Sequence, residues 1–389
     1  MKEIYFDHAA TTQVDPRVKK AMLPYLEGKF GNPSSIFHEK GQEALAAVSE
    51  SRKKLAKFLN CEDEEIIFTS GGTESDNLAL KGIYEASKRG SHIITSQIEH
   101  HAVGLTCQFL EKYRGAKVTY LPVDKFGLIN LSDLKKAIRP NTVLVSIMYA
   151  NNEVGTIEPI AEIGKLIQNL NKTRKNKIYF HTDAVQAAGY LDCSVKNLKV
   201  DALSLSGHKI YGPKGIGALY LRKETPFVSQ QQGGSQESGR RAGTENVAGI
   251  VGLAKAVELI EQSKKEVKQI QILRDKIIKN LTKIPEVILT GHPKKRLPGN
   301  ASFCIKNVEG ESLLISLNQE GVATSSGSAC TSGSLDPSHV LLAMGIKPEI
   351  AHGSLRITLG KDNTKKEVDY LLKVLSKIIK RLRAISPFE

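Results

Sequence analysis

The stretch TVLVSIMYANNEVGTIEPIAEIGKLIQNLNKTRKNKIYFHTD, residues 142–183, decides the fold. It begins with a β-rich apolar run, continues as an amphipathic helical pattern, and ends in a second β-rich run. A strand, a crossover helix and a second strand form a βαβ unit, in which the two strands are parallel. The alternation continues along the chain through the runs EIIFTS, SHIITS, KVTYLP, VDALSLS and IGALYL. We therefore predict an α/β fold with a mostly parallel central sheet flanked by helices.

The pattern changes near residue 255, where long helical stretches replace the alternation. The β-rich runs EVILTG, NASFCIK and GSLRITLG follow, separated by helical segments, which is typical of an α+β unit. We predict a large domain over residues 15–255 and a smaller domain formed by residues 1–14 and 256–389. Ligands bind at the carboxyl ends of the strands in open α/β sheets, so the residues that follow each strand are the candidates for function.

The chain has 389 residues, with 55 basic and 41 acidic side chains and a formal net charge of +14. Such an excess is compatible with nucleic-acid binding, but the lysines are spread along the chain, which favours a solvated basic surface over direct nucleic-acid contact. No apolar run approaches the roughly 18 residues of a membrane span. The start MKEIYFDHAATT does not resemble a signal peptide, so we expect a cytoplasmic protein without a membrane role.

The five cysteines are odd in number and widely spaced, and no CxxC pair occurs. A disulfide framework or an intrinsic structural zinc site is therefore not expected. Cys330 differs from the other four because it lies in GVATSSGSACTSGSLDPSH, residues 321–339, among serines, threonines and glycines. We expect a loop at about residues 321–337 that carries a movable thiol.

Two glycines separate the run EIIFTS from a helical pattern in TSGGTESDN. Thr73 would open a helix directly after Gly71 and Gly72, where free N–H groups and the helix dipole suit a phosphate. The same pattern also describes an ordinary helix cap after a tight turn. It is not a P-loop, because the chain contains no GxxxxGK[ST] motif.

Polar residues follow two further strands. Asp183, in HTDAVQ, could bind a metal, act as a base, pair with a protonated ring nitrogen or merely cap a helix; Gln186 lies three positions later. Lys209, in LSLSGHKIYGPKG, is a lysine among glycines after an apolar strand. Partial desolvation would lower its pKa and make the amine nucleophilic, although a surface lysine remains the alternative.

Three more positions complete the candidates. His100, in EHHAV, could stack on an aromatic cofactor or exchange protons, and Asn152 is polar where the run before NNEVG stops. Arg356, in SLRITLG, suits capture of a carboxylate, or else forms a salt bridge on an edge strand. A phosphate cradle, an acid, a lysine and a stacking histidine together indicate pyridoxal 5′-phosphate (PLP), which uses a lysine Schiff base and an acidic partner for its ring nitrogen.

The sequence resembles the cysteine desulfurases of the NifS/IscS type, which are fold-type I PLP-dependent enzymes of the class-V aminotransferase family. The motifs that carry the resemblance run nearly from end to end and are YFDHAATT, GNPSS, TSGGTESDN, EHHAV, NNEVGT, HTDAVQ, SGHKIYGPKG, GRRAGTEN, SSGSACTSGS and SLRITLG. The resemblance implies a fold-type I transferase with a smaller α+β C-terminal domain, acting as a homodimer.

The resemblance also assigns roles. Lys209 would bind PLP covalently, Asp183 would pair with the pyridine nitrogen, and His100 would stack on the ring. The other cofactor contacts would be Gln186 at the phenolic oxygen, Gly72, Thr73, Ser206 and His208 at the phosphate, Asn152 elsewhere on the cofactor, and Thr244 at the phosphate from the other subunit. Arg356 and Asn32 would bind the substrate carboxylate, and Cys330 would be the nucleophile that accepts sulfur.

The implied activity converts L-cysteine to L-alanine and leaves a persulfide on Cys330. The sulfur would pass to an iron–sulfur scaffold protein or another acceptor, such as one serving transfer RNA thiolation. No intrinsic metal is expected, although Cys330 could serve as a transient iron–sulfur ligand shared with a scaffold. Three alternatives stay open at this point: a selenocysteine lyase, an aminotransferase, and a non-enzymatic sulfur carrier or regulator that retains the fold.

Overall fold

The computed structural model describes residues 3–327 and 336–385. The strands are β1 (Ile4–Tyr5), β2 (Ile66–Thr69), β3 (His92–Ser96), β4 (Lys117–Leu121), β5 (Thr142–Ser146), β6 (Tyr179–Asp183), β7 (Ala202–Ser206), β8 (Gly217–Leu221), β9 (Val287–Leu289), β10 (Asn300–Ile305), β11 (Val322–Ala323) and β12 (Ser354–Thr358). The helices are α1 (Pro16–Leu26), α2 (Glu39–Leu59), α3 (Gly72–Glu85), α4 (His101–Arg114), α5 (Leu131–Ala137), α6 (Ile160–Asn171), α7 (Val195–Leu198), α8 (Val247–Ile260), α9 (Lys264–Leu281), α10 (Gly310–Gln319), α11 (His339–Ala343), α12 (Pro348–Ala351) and α13 (Lys365–Ala384). Single 3₁₀ turns lie at Asp63–Glu65, Gly207–Lys209 and Gln236–Gly239.

A seven-stranded sheet in the order β2-β8-β7-β6-β5-β3-β4 forms the centre of the molecule. Strands β5 and β6 are parallel neighbours, as the pattern of residues 142–183 predicts, and α6 connects them. The helix buries Ile160, Ile163, Gly164 and Ile167, which lie on one face at helical spacing. The prediction of a mostly parallel sheet flanked by helices is confirmed.

One strand of this sheet, β8, runs antiparallel to both of its neighbours. Only residues 207–216 connect it to β7, and this connection contains a single 3₁₀ turn. A parallel return would need a crossover of a dozen or more residues, so a short connection brings the chain back in the opposite direction. The glycine- and proline-rich turn that carries Lys209 therefore lies at the end of β7.

A second hydrophobic core lies around a three-stranded antiparallel sheet in the order β12-β10-β9. Helices α9, α10 and α13 contribute buried apolar residues to this core, and so does Phe6 near the start of the chain. Strand β1 pairs in parallel with β11. Helix α8 belongs instead to the core under the large sheet. The division at residue 255, with residues 1–14 in the small domain, stays a prediction.

The N-terminal segment, defined here as residues 4–12, contacts both cores. The N–H of Phe6 donates to the carbonyl of Ala323 at 2.8 Å, and its carbonyl accepts from Thr358 at 2.7 Å. At its other end, the N–H of Thr12 donates to the carbonyl of His208 at 2.9 Å. Across residues 3–327 and 336–385, none of the helices is long and apolar enough to cross a membrane.

Candidate active site

A cavity of about 270 Å³ opens where the parallel strands of the large sheet end. Ten of the residues that the sequence singles out line it: Gly72, Thr73, His100, Asn152, Asp183, Gln186, Ser206, His208, Lys209 and Arg356. They come from β6 and β7, from the segments that follow strands β2, β3, β5, β6 and β7, and from β12 of the second sheet. The fold thus gathers, in one place, groups that are up to 284 residues apart (from 72 to 356).

Lys209 lies at the end of the 3₁₀ turn that follows β7. Its Nζ donates to the carbonyl oxygens of Ala9 and Ala10, at 2.6 Å and 2.7 Å. The carbonyl of Ala9 also accepts a hydrogen bond from Nε2 of Gln186 at 2.9 Å. The N-terminal segment therefore forms one wall of the cavity and holds the amine in the observed position. Reaction at Nζ requires that the amine leave these carbonyls.

Asp183 ends β6 and is buried. Its Oδ1 accepts from the N–H of Val185 at 2.8 Å. Burial raises the pKa of this carboxyl to about 6, while the bond from Val185 and the charge of Lys209 act in the opposite direction. The side chain is therefore mostly ionised at neutral pH. A buried carboxylate of this kind suits a cationic ring nitrogen.

Asp76 is a residue of this cavity that the sequence reasoning missed as a functional candidate. It is 1% exposed, lies on α3 and lines the same cavity as Asp183. Burial, followed by the charge of Asp183, raises the pKa of Asp76 well above its usual range. Its Oδ1 lies 3.6 Å from Nε2 of His181, but burial lowers the pKa of that imidazole to about 3, so the contact is not an ion pair. Its position one helical turn after Gly72 was the signal that could have revealed it.

The start of α3 has the features of a phosphate cradle. The helix begins at Gly72, after Gly71 with a φ of 154°, and the first N–H groups of a helix have no partner within it. A Cβ on Gly72 would lie 2.7 Å from Cγ2 of Val185, so only glycine fits between the helix and the segment after Asp183. Ser206 and His208 line the same cavity, and Cβ of Ser206 would lie 3.5 Å from a Cβ on Gly72. An anion can therefore approach the backbone closely here.

His100 caps the N-terminus of α4, because its Nδ1 accepts from the N–H of Ala102 at 3.1 Å. The ring is mostly buried, and burial together with Lys209 and His101 lowers the pKa of His100 to about 4. The imidazole is therefore neutral at physiological pH, and the bond at Nδ1 places its proton on Nε2. A neutral ring at the cavity wall can stack on an aromatic cofactor and donate from Nε2.

Arg356 forms the salt bridge that one interpretation of the sequence predicts, and its role in capturing a carboxylate stays a prediction. It is 2% exposed on β12, pairs with Asp7 (Nη2 to Oδ1, 3.0 Å), and donates from Nη1 to the carbonyl of Asn152 at 3.2 Å. Its buried Nε has no hydrogen-bond partner among the described residues. A guanidinium that lines the cavity with a spare donor suits a substrate carboxylate.

Three predicted site residues do not join the cavity. Asn32 lies in an exposed turn, where its Oδ1 accepts from the N–H of Ser34 at 2.9 Å. Thr244 lines a separate surface depression beside Thr69 and Ser70, the residues just before the phosphate cradle. Cys330 lies outside the described residues. The roles of all three stay predictions.

The four described cysteines do not offer a competing nucleophile. Cys107, Cys193 and Cys304 are buried, and Cys61 is partly buried. Burial is the main cause that raises the pKa of each thiol, to about 12 for Cys61, Cys193 and Cys304. Such thiols stay protonated at neutral pH and are poor nucleophiles.

The cavity fits PLP by the chemistry of its side chains. Lys209 supplies the amine, Asp183 a carboxylate for the ring nitrogen, His100 a ring that can stack, and the start of α3 an anion site. Within the described part of the chain, no group of three or more histidine, cysteine or acidic side chains could hold a metal ion.

Comparisons with known proteins agree with this assignment. The family model "Aminotransferase class-V" matches residues 4–371. The chain is 53% identical to a cysteine desulfurase IscS of Dictyoglomus turgidum, over 100% of this chain and 97% of that protein, and 53% identical to one of Methanosarcina thermophila, over 99% and 94%. Among solved structures it resembles a NifS-like protein (TM-score 0.90, 40% identity, covering 98% of this chain and 100% of that one). It also resembles SspA in complex with cysteine (TM-score 0.81, 38% identity, covering 93% and 100%).

The cavity and these similarities lead to one conclusion. The same residues that line the cavity carry the motifs of a PLP enzyme, and the likeness to named desulfurases extends over essentially the whole chain. This chain belongs to the class-V aminotransferase family and, within it, to the PLP-dependent cysteine desulfurases of the NifS/IscS type.

Proposed function

We propose that this chain removes sulfur from L-cysteine, releases L-alanine and stores the sulfur as a persulfide on Cys330. The observation that supports this most directly is the convergence of Lys209, Asp183 and Arg356 on one cavity. The structural relative SspA is described in complex with cysteine, which supports the same substrate class here.

Each residue of the cavity has a role that follows from its chemistry. PLP, when bound, supplies a conjugated system that accepts electrons from the substrate's Cα. Arg356 binds the substrate carboxylate, and the Lys209 amine, once it has left the carbonyls of Ala9 and Ala10, takes the Cα proton. Asp183 holds a proton at the cofactor's ring nitrogen, since its carboxylate is buried and mostly ionised at neutral pH.

Sulfur transfer then involves His100 and Cys330. The neutral His100 ring donates from Nε2 to the substrate sulfur, and proton exchange with that thiol requires Nδ1 to leave the N–H of Ala102. The Cys330 thiolate attacks the substrate Sγ, so an S–S bond forms while the substrate's Cβ–Sγ bond breaks. The electron pair of the broken bond stays with the carbon skeleton, which takes up protons and leaves as L-alanine. An unperturbed thiol is only a few per cent ionised at neutral pH, so proton removal from Cys330 is part of this step.

The proposal also includes a homodimer and a protein that accepts the sulfur. Thr244 lies beside Ser70 at the surface next to the phosphate cradle, a position that supports a homodimer in which Thr244 reaches the neighbouring cofactor. The persulfide would pass to an iron–sulfur scaffold protein or another sulfur acceptor in the cytoplasm, with no direct nucleic-acid contact. Cys330 and a scaffold would share the iron–sulfur cluster transiently, as cargo. Sedimentation of the holoenzyme tests the dimer, and a monomer at micromolar concentration would contradict it.

The decisive experiment incubates the purified holoenzyme with L-cysteine and measures both alanine and the mass of the Cys330 peptide. We expect alanine release and a mass gain of one sulfur atom at Cys330. Cys330→Ala should abolish the persulfide, whereas Cys61→Ala, the matched control at a partly buried cysteine of raised pKa, should not. Persulfide formation at the parental rate in Cys330→Ala, or retention in Lys209→Ala of the absorbance band of lysine-bound PLP, would contradict the proposal. Turnover of selenocysteine by Cys330→Ala would identify a lyase, because a selenol can leave without that thiol.

A further inference from the structure

The described chain on either side of residues 328–335 is anchored at the cavity. On the preceding side, Ser325 and Arg356 form a short antiparallel bridge: the N–H of Arg356 donates to the carbonyl of Ser325 at 2.7 Å, and the return bond is 3.2 Å. Gly327 is also buried. Its N–H donates to Oγ of Ser354, which lies on β12 as Arg356 does. This side is therefore fixed to β12, beside the arginine that lines the cavity.

The following side is anchored at Ser338. The residue is 5% exposed and caps α11, since its Oγ accepts from the N–H of Leu341 at 3.3 Å. The same hydroxyl donates a short hydrogen bond to Oε2 of Glu153. Next to it, Nε2 of His339 donates to the carbonyl of Glu99 at 3.0 Å. This side is thus attached to the segments that follow β3 and β5.

Glu153 contacts both anchors with one oxygen. Besides accepting from Ser338, Oε2 packs against Gly327 so closely that a Cβ there would lie 2.7 Å from it. Glu153 is 6% exposed, and its backbone is fixed: its N–H donates to Oδ1 of Asn151 at 2.9 Å, and its carbonyl accepts from Nδ2 of Asn300 at 3.1 Å. Burial and fixed neighbours leave this carboxyl little freedom to turn away.

Glu153 is also next to the cavity along the chain. The preceding residue, Asn152, lines the cavity, and its carbonyl accepts from Arg356. Cys330 is three residues beyond Gly327 and eight before Ser338. Whatever its conformation, a chain of three residues spans at most about 11 Å, and one of eight residues at most about 29 Å. The anchor at Gly327 therefore limits the reach of the thiol more tightly than the anchor at Ser338.

We propose that Glu153 is a positioning residue for sulfur transfer, which joins Gly327 and Ser338 at the cavity and so determines where the Cys330 thiol can reach. The inference rests on the proposed role of Cys330 as the sulfur acceptor. Glu153 itself does not line the cavity and takes no part in the chemistry. Its effect should therefore fall on the transfer of sulfur to Cys330 and leave substrate binding unchanged.

The test uses the holoenzymes of Glu153→Ala, Glu153→Gln and Ser338→Ala. Single-turnover formation of the Cys330 persulfide should slow by roughly tenfold to a hundredfold in Glu153→Ala, because a misplacement of about 1 Å can have that effect on a reaction. Half-saturation by L-cysteine, read from the cofactor's visible spectrum, should stay within about threefold of the parent. A residue with a merely structural role would change both. Glu153→Gln retains an acceptor for Ser338 and should recover most of the rate.

Further variants test whether Glu153, Ser338 and Gly327 act through one contact. Ser338→Ala combined with Glu153→Ala should be no slower than Glu153→Ala alone, because the two residues act through one contact. Gly327→Ala should also slow the transfer, since its Cβ would meet Oε2, and Glu153→Ala should relieve part of that defect. Glu158→Gln is the matched control: it alters another buried glutamate, 2% exposed, in the segment that follows β5, and should leave the transfer rate unchanged.

The outcomes separate the two levels of the proposal. A parental enzyme that releases alanine without any persulfide on Cys330 would overturn the proposed function. A parental enzyme that forms the persulfide, together with Glu153→Ala and Ser338→Ala at the parental transfer rate, would overturn the role of Glu153. Equal losses in transfer and in cysteine binding would also overturn it. If Glu153→Ala does not fold, parental transfer rates in both Ser338→Ala and Gly327→Ala would have the same effect.

Discussion

Replacement of Arg356 by lysine tests the carboxylate-binding role of the guanidinium most directly. Arginine holds a charge and presents several N–H donors in a fixed plane, whereas lysine keeps the charge and loses that planar fork. In the structure Nη1 and Nη2 each donate one hydrogen bond, to Asn152 and Asp7, so the guanidinium keeps further N–H groups for a ligand in the cavity that it lines. The substitution therefore removes at least one charge-assisted hydrogen bond to the substrate carboxylate.

The magnitude follows from that bond count. A hydrogen bond to a charged group contributes about 1.5–3 kcal/mol, so Arg356→Lys should raise the half-saturating concentration of L-cysteine by roughly 10- to 150-fold. The maximal rate should fall less, because the lysine amine and the ring-nitrogen acid are unchanged. The assay titrates the holoenzyme with L-cysteine and follows the cofactor's visible spectrum, with alanine release as a second readout.

Arg274→Lys is the matched control. Arg274 is 4% exposed on α9, pairs with Asp275 (Nε to Oδ1, 2.7 Å) and donates from Nη1 to the carbonyl of Leu297, but it does not line the cavity. Its replacement should lower the melting temperature and leave half-saturation unchanged. Half-saturation of Arg356→Lys within about threefold of the parent would refute the assigned role, as would an equal shift in the control.

Three further predictions concern the acid, the cradle and a buried glutamate. Asp183→Asn should retain PLP but lower the alanine-release rate on the order of a hundredfold, because a fixed buried charge is lost; a rate near the parent would contradict the role of the acid. Gly72→Ala should weaken PLP binding by roughly tenfold or more, since its Cβ would meet Cγ2 of Val185, and Val185→Ala should restore part of the affinity in an equilibrium titration with PLP. Burial raises the pKa of Glu99 to about 8 in the folded protein, from its ordinary value of 4.5. The folded state thus holds more protons in this range, and its stability falls as pH rises from about 4.5 to about 8, by up to about 1.4 kcal/mol per pH unit. In urea titrations Glu99→Gln should gain stability relative to the parent between about pH 6 and about pH 8, and parallel curves for the two proteins would contradict this assignment.

The alternation of strands and helices was sufficient to predict the sheet and the edge at which the site lies. Residues 142–183 contain a complete βαβ unit, so β5, α6 and β6 follow from local patterning alone. Because parallel strands end at a common edge, the polar residues after each strand, such as Asp183 and Lys209, could be assigned to one site from their positions in the sequence.

Contacts between distant segments were beyond such reasoning. No local sequence pattern predicts the hydrogen bonds from Lys209 to Ala9 and Ala10. The same is true of the pairing of β1 with β11. Asp76 was missed because its chemistry depends on which face of α3 meets β6. A surface-facing aspartate in the first turns of a helix has the same sequence pattern.

The course of the N-terminal segment has a consequence for how the protein is made. Residues 4–12 are synthesised well before residues 321–323 and Thr358, with which they pair, and they supply the carbonyls that hold the Lys209 amine. Until those later residues are made, β1 has no β11 to pair with, and the cavity wall that the N-terminal segment forms is not held in place. The cavity, which Arg356 also lines, is therefore complete only after nearly all of the described chain has been synthesised.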